Sequence, residues 1–81
     1  MNLRPDHIAL LATIHGLCAE YGHSPSLHEL ARESGLKHRN SVSRRAKVLR
    51  DAGLLEWRPH AGRTMKLTAA GVAALEASEE A

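Results

Sequence analysis

The sequence predicts a mainly α-helical domain that carries one small β-hairpin. Apolar residues recur at helical spacing through the first half of the chain, and two short runs, 54–57 and 64–67, flank a turn with Pro and Gly. Hydrophobic residues make up 43% of the chain but aromatics only 2%, so the core must be built from Leu, Ile, Val and Ala, which suits small packed helices. At 81 residues a single domain (1–81) with a modest core is expected. Residues 3–67 should form its compact part and 68–81 a C-terminal helix.

The first helix is expected from about 5 to 21. Pro5 suits the first helical position, Leu10, Leu11, Ile14, Leu17, Cys18 and Tyr21 give it an apolar face, and Gly22 ends it. Pro25 holds the next turn extended. Ser26 and Glu29 form an S-x-x-E capping box for a short second helix whose apolar face is Leu27, Leu30 and Ala31, and which stops at Gly35. So few residues separate it from a third helix that the two should cross steeply. That third helix starts between His38 and Asn40 and runs to about Ala52, held by the Val42, Ala46 and Leu49 stripe. Gly53 occupies its C′ position. "LLEW" (54–57) and "TMKL" (64–67) read as strands around the turn "PHAGR" (59–63), and Thr68 caps a final Ala-rich helix.

The net charge of +2 conceals a strong asymmetry. Residues 37–66 hold nine Lys or Arg against Asp51 and Glu56, a balance of +7, while the rest of the chain carries two bases and seven acids, a balance of −5. Such segregation suggests one face meant for a polyanion and another kept away from it. One Cys excludes an internal disulfide framework. No apolar run approaches the roughly 18 residues of a membrane span, and the N-terminus lacks the pattern of a secretory leader. A cytoplasmic protein is expected.

The run "GHSPSLHELARESGLKHRNSVSRRAKVLRDAGLLE" resembles the winged helix-turn-helix domain at the N-terminus of LexA repressors. Gly22, Pro25, Ser26, Glu29-Leu30-Ala31, Gly35-Leu36, Asn40, Lys47, Leu49 and Gly53 match that family's pattern without a gap, and "LRPDHIALLATI" looks like its first helix. The resemblance spans about residues 3–67 and implies a transcriptional regulator, expected to be a repressor, that binds double-stranded DNA. Helix 38–52 would enter the major groove, with the hairpin wing (58–64) on the flanking backbone or minor groove. Where the family has Ser-Pro this chain has His38-Arg39, and where it has a Thr before Pro5 this chain has Arg4. The 81 residues include no counterpart of the LexA protease and dimerisation domain, so a stand-alone domain without self-cleavage is expected. "LTAAGVAAL" looks instead like the end of the winged domains in MarR and PadR regulators.

The residue chemistry agrees independently. B-DNA's major groove admits one α-helix, Asn pairs bidentately with adenine and Arg with guanine. Asn40 and Arg44 are the leading candidates for base contact, with Ser43 between them and Arg39 and Ser41 near the helix start. Lys37, His38, Lys47 and Arg50, together with Ser26 at a helix N-terminus and His60 and Arg63 at the wing tip, are candidates for phosphate. Arg45 lies nearer the buried stripe and is expected to flank the core.

Other readings fit less well. Cys18 falls on the apolar face of the first helix and no C-x-x-C or H-x-x-x-H pair appears, so a metal site and a cofactor are not expected. No glycine-rich phosphate loop or nucleophile beside a base suggests an enzyme. A winged-helix protein-docking module is the alternative, but docking helices show apolar anchors where this one shows Arg, Ser and Lys. A weak homodimer is expected through 69–75 and helix 1, with Ala69, Val72, Ala73 and Leu75 facing Ile8; the alternative is a monomer whose last helix packs back on its own first helix as a lid.

Overall fold

The computed structural model describes residues 4–36, 38–58 and 64–80, with the side chains of 79 and 80 left aside. Four helices and one hairpin follow in order: α1 (Pro5–Tyr21), α2 (Leu27–Ser34), α3 (Arg39–Asp51), β1 (Leu55–Glu56), β2 (Lys66–Leu67) and α4 (Ala69–Glu80). Helices α1, α2 and α3 pack on one another, the hairpin leans on α1 and α3, and α4 lies across α1 and β2. The core between them is Leu10, Leu11, Ile14, Leu17, Leu30, Val42, Ala46 and Leu49, joined by Trp57, Met65 and Leu75 from the C-terminal half. No helix among the described residues is long and apolar enough to cross a membrane.

The helix ends are fixed by local chemistry. Ser26 Oγ accepts from the Glu29 backbone N–H at 3.1 Å, and Glu29 Oε1 accepts from the Ser26 N–H at 2.9 Å. This reciprocal pair satisfies two otherwise orphan donors of α2, and such caps contribute about 0.5–2 kcal/mol. Arg4 supplies no side-chain cap to α1; His7 Nδ1 accepts from the Arg4 N–H at 3.4 Å instead. After α3, Gly53 at φ 78° lets its own N–H reach the Arg50 carbonyl and the Leu54 N–H reach the Leu49 carbonyl. These are the two bonds of a Schellman ending, and they turn the chain into β1.

The hairpin is narrower than the sequence suggested. Its strands pair antiparallel only as Leu55↔Leu67 and Glu56↔Lys66. Leu54 cannot donate to the ladder because its N–H finishes α3. On the loop side, Thr64 Oγ1 accepts from the Arg58 N–H at 3.0 Å and donates to the Arg58 carbonyl at 3.2 Å, so one side chain closes the hairpin where the ladder would continue. The expected turn at 59–63 lies outside the described residues.

The expected face of α4 is corrected. Ala69 and Ala73 are exposed, but Leu75 is buried in the chain's own core and Val72, Ala74 and Ile8 pack against it. Positions 69, 72, 73 and 75 spread around a helix of 3.6 residues per turn, and the buried side centres on Gly71 and Leu75. The helix closes over its own α1.

Candidate nucleic-acid interface

Helix α3 presents two opposed faces. Val42, Ala46 and Leu49 are wholly buried and hold it against α1 and α2. About half a turn away, Asn40, Arg44 and Lys47 are exposed, as are His38 and Arg39 at the helix start, while Ser41 and Ser43 are half-buried on the flanks. The first turn carries no acid, and His38, the N-cap residue, makes no side-chain cap bond. The helix's positive end therefore adds to the nearby Arg39 rather than being neutralised. The result is a rigid cationic ridge with hydrogen-bonding tips.

Three of the basic residues in the 37–66 segment are spent partly inside the molecule or at its edge. Arg45 Nε donates to Asp6 Oδ2 at 3.0 Å and its Nη1 to the Ser41 carbonyl at 3.3 Å, tying α3 to the start of α1. Partial burial pushes the Asp6 carboxyl up, but the Arg45 hydrogen bond and the charges of Arg4, His7 and Arg45 outweigh it and hold its pKa below the ordinary 3.8. Arg50 places its guanidinium 5.8 Å from the centre of the buried Trp57 ring and contacts Asp51 Oδ1 at 3.4 Å, so it joins α3 to the hairpin. Lys66 lies directly opposite Glu56 in the ladder. Arg39, Arg44 and Lys47 remain the outward cations of α3.

The other candidates divide. Ser26 is half-buried, with its Oγ accepting from the α2 cap. Lys37, His60 and Arg63 lie outside the described residues. His28 and Arg32, not among the residues expected to contact DNA, sit one helical turn apart on α2 and line an open groove with Leu36, His38 and Arg39. Their i, i+4 spacing was the available signal.

The comparisons bear on this geometry. A family model described as the LexA DNA binding domain matches residues 3–64. The chain belongs to the LexA DNA-binding domain family. It is 39% identical over 66 residues to LexA repressor 1 of Xanthomonas axonopodis pv. citri (strain 306), covering 82% of this chain and 32% of that protein. Among solved structures, the M. tuberculosis transcriptional regulator MosR matches with a TM-score of 0.75 and 30% identity, over 94% of this chain and 53% of MosR. A Ralstonia eutropha JMP134 protein, assigned there as DNA-binding, matches with a TM-score of 0.70 at 22% identity, over 95% and 98% of the two chains, and shows the fold. The chain thus spans about a third of the LexA repressor it matches and about half of MosR.

Within this LexA-type domain the remaining reactive side chain is turned inward. Cys18 Sγ points to the Met65 carbonyl at 3.8 Å, and burial pushes its thiol pKa up, which disfavours the thiolate. Among the described residues, no three His, Cys, Asp or Glu side chains gather as a metal site.

Proposed function

We propose that this LexA-type domain is a sequence-specific, double-stranded DNA-binding transcriptional regulator acting in the cytoplasm as a repressor. One observation carries the reading: the exposed Asn40, Arg44 and Lys47 ridge, backed by a wholly buried stripe on the same helix. A helix so mounted suits the major groove, where the base edges carry a distinct donor and acceptor pattern. Asn40 and Arg44 read bases, aided by Arg39, Ser41 and Ser43. Lys47, His38 and Lys37 engage phosphates, as do Ser26 through its hydroxyl proton and Arg50 through whatever of its guanidinium clears Trp57. The wing, with His60 and Arg63, follows the flanking backbone or minor groove.

Two copies pair weakly on adjacent half-sites, because one winged domain covers too little DNA for high specificity. The protein-docking alternative is less well supported, since Val48 is the one large hydrophobic exposed among the described residues and a docking face needs several.

Selection of bound sites from random duplexes, followed by titration across salt, tests the reading. With roughly four to six phosphates neutralised per protomer, log affinity should fall against log salt with a slope of about −4 to −5. A slope near zero, or no enriched sequence, would rule the reading out.

A further inference from the structure

Val48 is an anomaly on an otherwise polar ridge. It is 44% exposed and lies outside the packed core. It extends the helical stripe Ser41, Arg44, Val48 at i, i+3, i+7. The shallow groove it lines at the α1–α3 edge is otherwise polar or charged, walled by Arg4, Asp6, His7, Ser41, Arg44 and Arg45. Among the described residues lining that groove, Val48 is the one apolar side chain. A β-branched residue at an exposed helical site is also a slightly poorer helix former than Ala, Lys or Arg, so the fold itself gains little from it.

From these facts we infer that Val48 is a specificity residue that contacts the C5-methyl group of a thymine. The inference rests on the duplex-binding reading above. The occupant follows from the surroundings. Arg4, Arg44 and Arg45 outnumber the one acid of the rim, Asp6, which pairs with Arg4 and Arg45 and leaves Arg44 outward. The rim therefore stays net cationic and favours a polyanion, and the thymine methyl is the apolar group that a duplex presents in its major groove. A protein partner would have to bring one apolar side chain into a cationic rim for a single valine. Arg44, one turn earlier, sets its guanidinium beside the same stretch of groove. The two side chains together would favour a guanine followed at short distance by a thymine.

The test uses the full chain and its selected duplex. Each thymine of the site is replaced singly by deoxyuridine, which removes the methyl and leaves every base-pair hydrogen bond. Burying one methyl group contributes about 0.8 kcal/mol, so one exchange should weaken binding by the native protein roughly fourfold. Val48→Ala should bind the thymine duplex roughly fourfold more weakly than the native protein, and should not distinguish thymine from uracil at that position. The variant lies on an exposed site and favours helix, and circular dichroism with a urea midpoint checks that it folds as the native chain does. If no exchange matters to the native protein, or if Val48→Ala keeps the full thymine preference, the inference is wrong while duplex binding stands. If neither protein binds any duplex, the inference and the DNA reading fall together. Sedimentation of both proteins without DNA supplies the remaining arm: a native self-association that Val48→Ala abolishes would assign Val48 to a second copy and overturn the thymine contact.

Discussion

Asp6 and Arg45 lie 39 positions apart, yet their side chains meet at 3.0 Å and join the start of α1 to the middle of α3. No local pattern announces such a pair; the sequence showed only that Arg45 flanks the buried stripe. Ser26 and Glu29, three residues apart, were legible as a box because both partners lie within one turn. The Asp6 carboxyl is lowered in the folded chain, so the unfolded chain binds its proton more readily. The ionised pair therefore stabilises the fold above the ordinary value of 3.8, and that contribution is lost as pH falls through the lower native value. Asp6→Asn should remove this part of the acid sensitivity, seen as a flatter urea midpoint as the pH is lowered through and below 3.8. An unchanged acid profile would show the pair to be idle. On the opposite face of α3, Arg44→Ala should cost roughly 1–3 kcal/mol on the preferred site and flatten base preference there, whereas Lys47→Ala should weaken all duplexes alike. Competition between selected and scrambled duplexes separates the two; equal losses for Arg44→Ala would refute the division.

Helix α4 shows how an element is placed by contacts that its own sequence does not reveal. Its start was readable, since Thr68 precedes the Ala-rich run, and Thr68 Oγ1 indeed accepts from the Gly71 N–H at 3.0 Å. The same hydroxyl donates to the Gly53 carbonyl at 2.7 Å, and the Thr68 N–H reaches the Leu54 carbonyl at 3.1 Å. One residue thus pins α4 to the turn that ends α3, and so keeps the hairpin's root and α3 in one body. Gly71 is the complement of that clamp: a Cβ built there would stand 2.1 Å from the Leu54 carbonyl oxygen. Backbone cannot yield as a flexible side chain can, so Gly71→Ala must push α4 outward. We expect a loss of about 1–3 kcal/mol or more in urea unfolding, as for overpacked cores. A control at exposed Ala73, Ala73→Ser, should change stability by less than about 0.5 kcal/mol. In an Ala-rich helix a glycine reads as a weak helix former; only the position of Leu54 explains it. The wrong face assigned to α4 has the same origin, because alanines carry too little hydrophobic contrast to mark a buried side.

At the scale of the molecule, 30 × 24 × 21 Å, the geometry of pairing becomes a question of spacing. Half-sites one helical turn apart place the centres of two bound copies about 34–36 Å apart, so their edges come close to touching. What each copy can offer there is small. Leu75 is buried, and Val72 and Ile8 pack against their own core, leaving exposed Ala69, Ala70, Ala73 and Ala77 on the outer side of α4. A row of methyl groups falls well short of the roughly 1,200 Å² that stable interfaces bury. The free chain should therefore sediment as a monomer at tens of micromolar. On a duplex with two half-sites the effective concentration rises toward millimolar, where a weak contact suffices for cooperative binding. Val72→Glu cannot test this cleanly, since a charge at a half-buried position would disturb the core as well. Ala73→Glu is the sharper probe, being exposed and remote from the buried side. It should leave the urea midpoint and affinity for a single half-site close to native, while reducing cooperativity on two half-sites several-fold. If cooperativity survives Ala73→Glu, the copies meet through another surface or communicate through the DNA. If the free chain is already dimeric, the area argument itself is wrong.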